Sequence, residues 1–279
     1  MLADLIPNHN KSDKNDNILI KDTTYYDLIF KNHTNYVYDL YWGFIKVGKA
    51  KLEFQEITNI DKEEENSYYE IRFTVISNSI INTFYPLEIR ITSNLNKTDL
   101  KPFFYKKSQI QGNDIEQTEL LFDWNKMILS GTRNNKKLNE INLTGDCKDP
   151  LSMILNLCYH DFQIHEYNKQ VVSDGKKILD IQSKLEKIES VNTSFGIFNC
   201  HKISIDTKDL RGVFKKSPNA KVFMYLDTKI PSIPIKLSSK VVIGKFHALL
   251  SDGNYYGEEI KSDMPLTNKK IKSPKTIRK

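Results

Sequence analysis

Cysteine is scarce in this 279-residue chain: Cys147, Cys158 and Cys200 are the only three, and none stands in a Cys-x-x-Cys pair. That excludes a dense disulfide framework and a thiolate zinc knuckle, and leaves room for one disulfide. Long apolar runs are missing too, with nothing near the roughly 18 residues that a spanning helix needs. The opening stretch MLADLIPNHNKSDKND has no basic segment followed by an apolar one, so no signal peptide is expected within it. A G-x-S-x-G elbow, a P-loop and a dinucleotide fingerprint are also absent. Charge of one sign is lacking once its location is considered. Residues 261–279 hold seven Lys or Arg and one acidic residue, which accounts for the whole net charge of +6. The body is therefore neutral, and no nucleic-acid partner is expected. The basic end has no apolar periodicity and is expected to be disordered over 256–279. Contact with an anionic membrane surface is the sharper reading, since each basic residue there contributes roughly 1 kcal/mol.

What the chain does have is aromatics. Its 14 Tyr and 14 Phe stand against 11 Gly and 9 Pro, a mixture that favours β-structure. In YWGFIKVGKAKLEF, residues 41–54, an aromatic run is broken at Gly43 and Gly48. Charged and apolar residues then alternate, with Ala50, Leu52 and Phe54 on one face. That period of two marks a strand buried on one side. The glycines predict a wide hairpin connection or a sharp kink, where the chain reverses or passes close to a neighbour. Further strands are expected over 68–77, 87–95, 102–111, 116–123, 127–133, 177–189, 198–206, 220–227 and 234–250, an antiparallel meander. One segment has a different period. Asp149 can cap a helix whose first residue is Pro150, and Leu151, Ile154, Leu155 and Cys158 follow at helical spacing. A helix over about 150–158 is predicted, its apolar face on the sheet.

Chemistry-bearing residues gather in CYHDFQIHE, with Cys158, His160, Asp161, His165 and Glu166. His160 and His165 are five apart, which puts them on different faces of a helix and opposite faces of a strand, so a surface pair explains them better than a metal site. No metal or cofactor is expected. Cys200 and His201 are strand neighbours that point to opposite faces, so they form no dyad, and Cys200 reads as a small core residue. The prolines of KIPSIPIK fit an edge strand or the start of one. Paired carboxylates for glycoside chemistry would come from distant strands, and nothing in the sequence picks out a pair.

Several landmarks occur in a characteristic order: Gly43, Val47, Gly48 and Ala50; KPFFY; the FDW of Phe122 to Trp124; the DPLS of Asp149 to Ser152; DGKK at 174–177; the GIF of Gly196 to Phe198; DTKIPSIPIK with Asp227, Pro234 and Lys236; and IGKFHALL with Gly244. Over about residues 33–252 this set resembles a bacterial family of exported proteins catalogued as domain of unknown function 3108. There are two departures. Members often carry an arginine shortly after the DPLS helix, where this chain has Cys158 or Tyr159. They also tend to have a tryptophan where MYLD here has Tyr225. The resemblance implies a periplasmic or outer-membrane-facing location and a curled antiparallel sheet around a helix.

The expectation is a β-rich domain over 33–255, a half-open, barrel-like meander with one short central helix, after a flexible lead over 1–32. Tyr38, Trp42, Phe54 and Trp124 are the aromatics expected on its concave side, where a ligand would sit. Core packing is the competing reading of the same four residues. Gly43, Gly48, Asp149, Pro150, Asp227, Pro234 and Gly244 are expected to be structural. The leading functional expectation is a non-catalytic envelope protein binding a lipid, lipoprotein or glycan. An envelope-glycan hydrolase or lyase, and a scaffold pairing through a strand edge, are the alternatives.

Overall fold

The structure is a computed structural model that describes residues 29–61, 64–206, 221–241, 244–255 and 258–260. In chain order its elements are β1 (Asn35–Trp42), β2 (Ile45–Asp61), β3 (Glu64–Ser77), α1 (Ser79–Phe84), β4 (Leu87–Leu95), β5 (Pro102–Gln111), β6 (Asp114–Asp123), β7 (Ile128–Arg133), β8 (Lys136–Lys137) and β9 (Ile141–Asn142). Then come α2 (Pro150–Tyr159), β10 (Tyr167–Ser173), β11 (Ile178–Thr193), β12 (Gly196–Ile205), β13 (Lys221–Asp227), β14 (Pro234–Val241), β15 (Gly244–Tyr255) and β16 (Glu258–Glu259). All described strands belong to one antiparallel sheet. Its path runs from β10 through β11 to β15, then through β1 to β8, with β9 beside β7 and β16 beside β15. The sheet curls but does not close.

Most of the expected tail and most of the expected lead lie outside the described residues. Part of the expected lead nevertheless packs with the domain: residues 29–31 are helical, and Ile29 and Phe30 are buried in the core. Phe30 stacks on Tyr69 with ring centroids 4.1 Å apart and meets Phe54 edge-on. Ile260, placed by sequence in the tail, is buried as well.

Register explains the two glycines. Trp42 pairs with Ile45, so β1 and β2 are joined by a two-residue turn, with Gly43 at φ +61°, tighter than a wide connection. At Gly48, β2 and β3 approach so closely that a Cβ would sit 2.3 Å from Ile76 O. Gly244 opens β15 opposite Val241. Pro234 starts β14 between β13 and β15, so it is a strand start and not an edge. Its carbonyl accepts the Tyr38 hydroxyl at 2.9 Å. Asp227 fixes the turn before it: Oδ1 accepts from Ile233 N at 2.6 Å, and its own N–H donates to Ile233 O.

Helix α2 starts where the sequence places it. Asp149 Oδ1 accepts from Leu151 N and Ser152 N, Ser152 Oγ accepts from Asp149 N, and Pro150 takes the first turn. Its surroundings differ from the expected single apolar face. Leu151, Ser152, Met153, Leu155, Leu157, Cys158 and Tyr159 are all buried, because the sheet wraps the helix from several sides. Ser93 on β4 donates to Asp149 Oδ2 at one end, and Cys158 O accepts from Ser232 N, before β14, at the other. Most of the residues buried on the inner side of the curl and around α2 belong to one large apolar cluster.

The two glycines should respond differently to the same change. Gly48→Ala is expected to cost about 1–3 kcal/mol because backbone must move. Gly43→Ala should cost about 1–2 kcal/mol from its left-handed φ, with Gly43→Asn nearer the parent chain. Urea unfolding midpoints would check the order.

Candidate functional site

Side chains on the inner face form cross-strand rows. The row nearest α2 reads Phe54, Ile71, Ser93, Tyr105, Leu120 and Gly131 from β2 to β7. All but Gly131 are buried. The next row reads Leu52, Phe73, Ile91, Lys107, Thr118 and Arg133. The row beyond it reads Ala50, Val75, Ile89, Gln109 and Glu116. In these outer rows Phe73, Ile89, Ile91, Lys107, Gln109, Glu116 and Arg133 are only half-buried. The curl is therefore filled by α2 at one end and opens toward the other, where β1 ends and β2 begins.

Across that opening the lining changes character between β4 and β5. One wall is apolar, with Leu40, Phe73, Ile89, Ile91 and Ala248 half-buried and packed on the core. The opposite wall is polar and carries charge. Lys107 Nζ donates to Glu116 Oε1 at 3.1 Å, and Arg133 Nε lies 3.9 Å from Glu116 Oε2. Arg133 also donates through Nε to Thr118 Oγ1 at 3.1 Å and through Nη2 to Asp174 O at 2.9 Å. Gln109 Nε2 donates to Gln111 Oε1, while Gln109 Oε1 is buried without a partner. Burial works against ionising Glu116, but Lys107, Arg133 and Lys176 outweigh it and hold the carboxyl below its ordinary value. Two cations thus share one firmly ionised carboxylate, leaving the wall net positive. Among the buried carboxylates, Asp149 is pushed up by burial yet sealed beneath the helix by Ser93, Leu151 and Ser152. Glu116 therefore faces the opening, held ionised by its cationic neighbours, while Asp149 is closed off from it.

The four aromatics share the inner face by strand parity but do not converge. Phe54 and Tyr38 are buried in the core. Trp42 stands at the open rim, stacked on Phe246 with centroids 6.1 Å apart. Trp124 sits at the opposite end of the sheet, donating from Nε1 to Pro102 O at 2.7 Å with Lys101 over its ring. Sequence reading missed Lys107, Gln109, Glu116 and Arg133. The signal available was the run YKKSQIQ, whose polar residues occupy both faces.

Residues 37–251 match the family described as "Protein of unknown function (DUF3108)". The chain belongs to that family. The structure of this DUF3108 chain is also similar to the crystal structure of a β-barrel-like protein of domain of unknown function DUF1849 from Brucella abortus. Identity is 11%, the match covers 80% of this chain and 97% of the other, and the TM-score is 0.51. That likeness concerns the fold alone. No curated protein matches the sequence.

The remaining sequence candidates have local roles. His160 ends α2, with Nε2 2.9 Å from His165 O and Nδ1 3.1 Å from Asn168 Nδ2, and Asp161 Oδ1 accepts from Gln163 N and Ile164 N. Among the described residues no group of three or more His, Cys, Asp or Glu could hold a metal. Cys147, Cys158 and Cys200 are buried free thiols, each pushed up to about 12, chiefly by burial. Cys200 and His201 are both buried although they face opposite ways. A bulge at Glu186 in β11, opposite β12, switches the face that is covered. Tyr225, at the position where relatives tend to have tryptophan, is buried with Lys202 and Lys236 over its ring at 5.4 and 5.1 Å.

Burial lowers the pKa of both His160 and His201. The unfolded chain then takes up these protons first as pH falls, so stability present above the ordinary value of about 6.5 is lost below it. Thermal unfolding should shift down between pH 7.5 and 5.5 in this DUF3108 chain, and the shift should shrink in His201→Leu.

Proposed function

We propose that this chain is a non-catalytic binding protein of the cell envelope that holds an amphipathic molecule in the open end of its curl. The apolar tail lies against Phe73, Ile89 and Ile91, and an acidic head faces Lys107 and Arg133. The observation that carries the reading is the change from an apolar to a net positive wall within one continuous inner row, Phe73 and Ile91 to Lys107 and Arg133. Concave, mainly apolar surfaces with a few convergent polar groups are where small molecules bind. Lipids and the acyl chains of lipoproteins have this chemistry. Glycans lack the tail and fit the apolar wall less well. The envelope setting enters this proposal from the family resemblance.

The test is a titration of the purified chain with a fluorescent long-chain fatty acid and with the matching long-chain alcohol. Saturable binding of the acid is expected. Lys107→Gln should weaken it by about tenfold, the scale of one charge-assisted hydrogen bond, while binding of the alcohol stays unchanged. Absence of saturable binding of either probe would sink the reading.

A further inference from the structure

The open end of the curl carries apolar side chains on its outside as well. The turn between β1 and β2 leaves Phe44 95% and Trp42 44% exposed, with Ile45 beside them. Next to it α1 links β3 to β4 and buries none of its residues. Ile80 is 70% exposed and Phe84 83%, and Tyr85 follows them into solvent. The two connections form one platform. Asn78 Oδ1 accepts from Ile81 N to cap α1, while its side-chain amide donates to Lys46 O and its backbone N–H to Val47 O. Tyr85 leans on Gly112 of the next turn, whose N–H donates to Pro86 O. An apolar patch gathered on adjoining connections, unlike scattered single residues, marks an interaction surface.

Charge at this end has a sign. Lys46 is paired with Asp39 and Arg90 with Glu88. Lys49 and Lys245 are exposed and form no ion pair among the described residues, against the single carboxylate of Asp114 on the neighbouring turn. Lys245 flanks the tip directly, since its carbonyl accepts from Gly43 N.

We propose that this end docks on a lipid bilayer containing anionic headgroups, with Phe44, Ile80, Phe84 and Trp42 entering the interface and Lys49 and Lys245 facing phosphates. Aromatic and aliphatic tips flanked by lysines are the composition of interfacial anchors. Continuity with the interior favours a bilayer over a protein partner. Trp42 belongs both to the tip and to the inner face at the rim, so a docked chain would present its opening to the membrane. The inference rests on the amphipathic-ligand reading, because a tail could pass from bilayer to curl without crossing water only in that orientation.

The experiment is co-sedimentation of the full chain with vesicles of phosphatidylcholine and of an equal mixture of phosphatidylcholine and phosphatidylglycerol, beside the fatty-acid titration. The parent chain should sediment preferentially with the anionic vesicles. Phe44→Glu combined with Phe84→Glu should reduce partitioning by about tenfold or more while leaving fatty-acid binding intact, which shows the variant is folded. Equal sedimentation of parent and variant would overturn the docking surface. So would a parent chain that ignores vesicles, or one that instead dimerises through this tip. Loss of fatty-acid binding in the parent chain would overturn the ligand reading alone.

Discussion

The segment from Ile141 to Asp149 is the constraint on which the rest depends, because it satisfies both edges of a sheet that does not close. On one side Ile141 and Asn142 pair with Leu129 and Ile128 of β7. On the other, Lys148 N donates to Val171 O and its carbonyl accepts from Ser173 N, a parallel bridge to β10. An open curl would otherwise offer two rows of unpaired backbone groups for association. Six residues after Asn142, the segment delivers Lys148, whose buried side chain is neutralised by Asp146 at 2.6 Å, and then Asp149. That residue caps α2 and is anchored to β4 by Ser93, so closing the gap and placing the helix are one event.

With the gap closed by a strap, the interior need not be filled along its whole length. Helix α2 spans the end nearest Ser93 and Ser232, and the side chains around it are buried there. At the other end the side chains of the outer rows are only half-buried, and the walls stand apart. The contact of the β10–β11 turn with β6 and β7 keeps them so: Arg133 reaches Asp174 O, and Gly175 sits where any Cβ would meet the Leu120 side chain. The charged side chains of the opening are thereby also structural ties between the two edges, which fixes their geometry in advance of any ligand.

Strand positions and the cap were legible because they are set locally. LEIRITSNL alternates from Leu87 to Thr92 and is β4 as read, and Asp149 with Pro150 makes a helix start. Three features were not legible. Strand β10 reads YNKQVVS with no clean alternation, since it is an edge whose partner on one side is the strap. The full burial of α2 depends on strands distant in sequence wrapping round it. The polar wall defeats binary patterning outright. In β5, Tyr105 points inward to the core while Lys107, Gln109 and Gln111 point inward to the opening, so one face of one strand changes from buried to wet along its length. A rule that equates polar with outward assigns these residues to the wrong face.

Two inversions of the ordinary pattern, then, occupy the same end of the molecule. Inside the curl, Lys107, Arg133 and Glu116 forgo part of their hydration, which an apolar lining would have spared. Outside it, Phe44, Ile80 and Phe84 stay in water, each giving up about 1.5–3 kcal/mol that burial would contribute. The inner arrangement serves the fold only through the ties that Arg133 makes, and the outer one not at all: α1 buries nothing, and the turn at Gly43 could carry any polar residue in place of Phe44. Departures from consistency that stabilise nothing locally are expected where a protein meets something else. That both fall around one opening, with Trp42 on the boundary between them, is the common ground of the two proposals, in which inside and outside meet the same kind of molecule, apolar along most of its length and charged at its head.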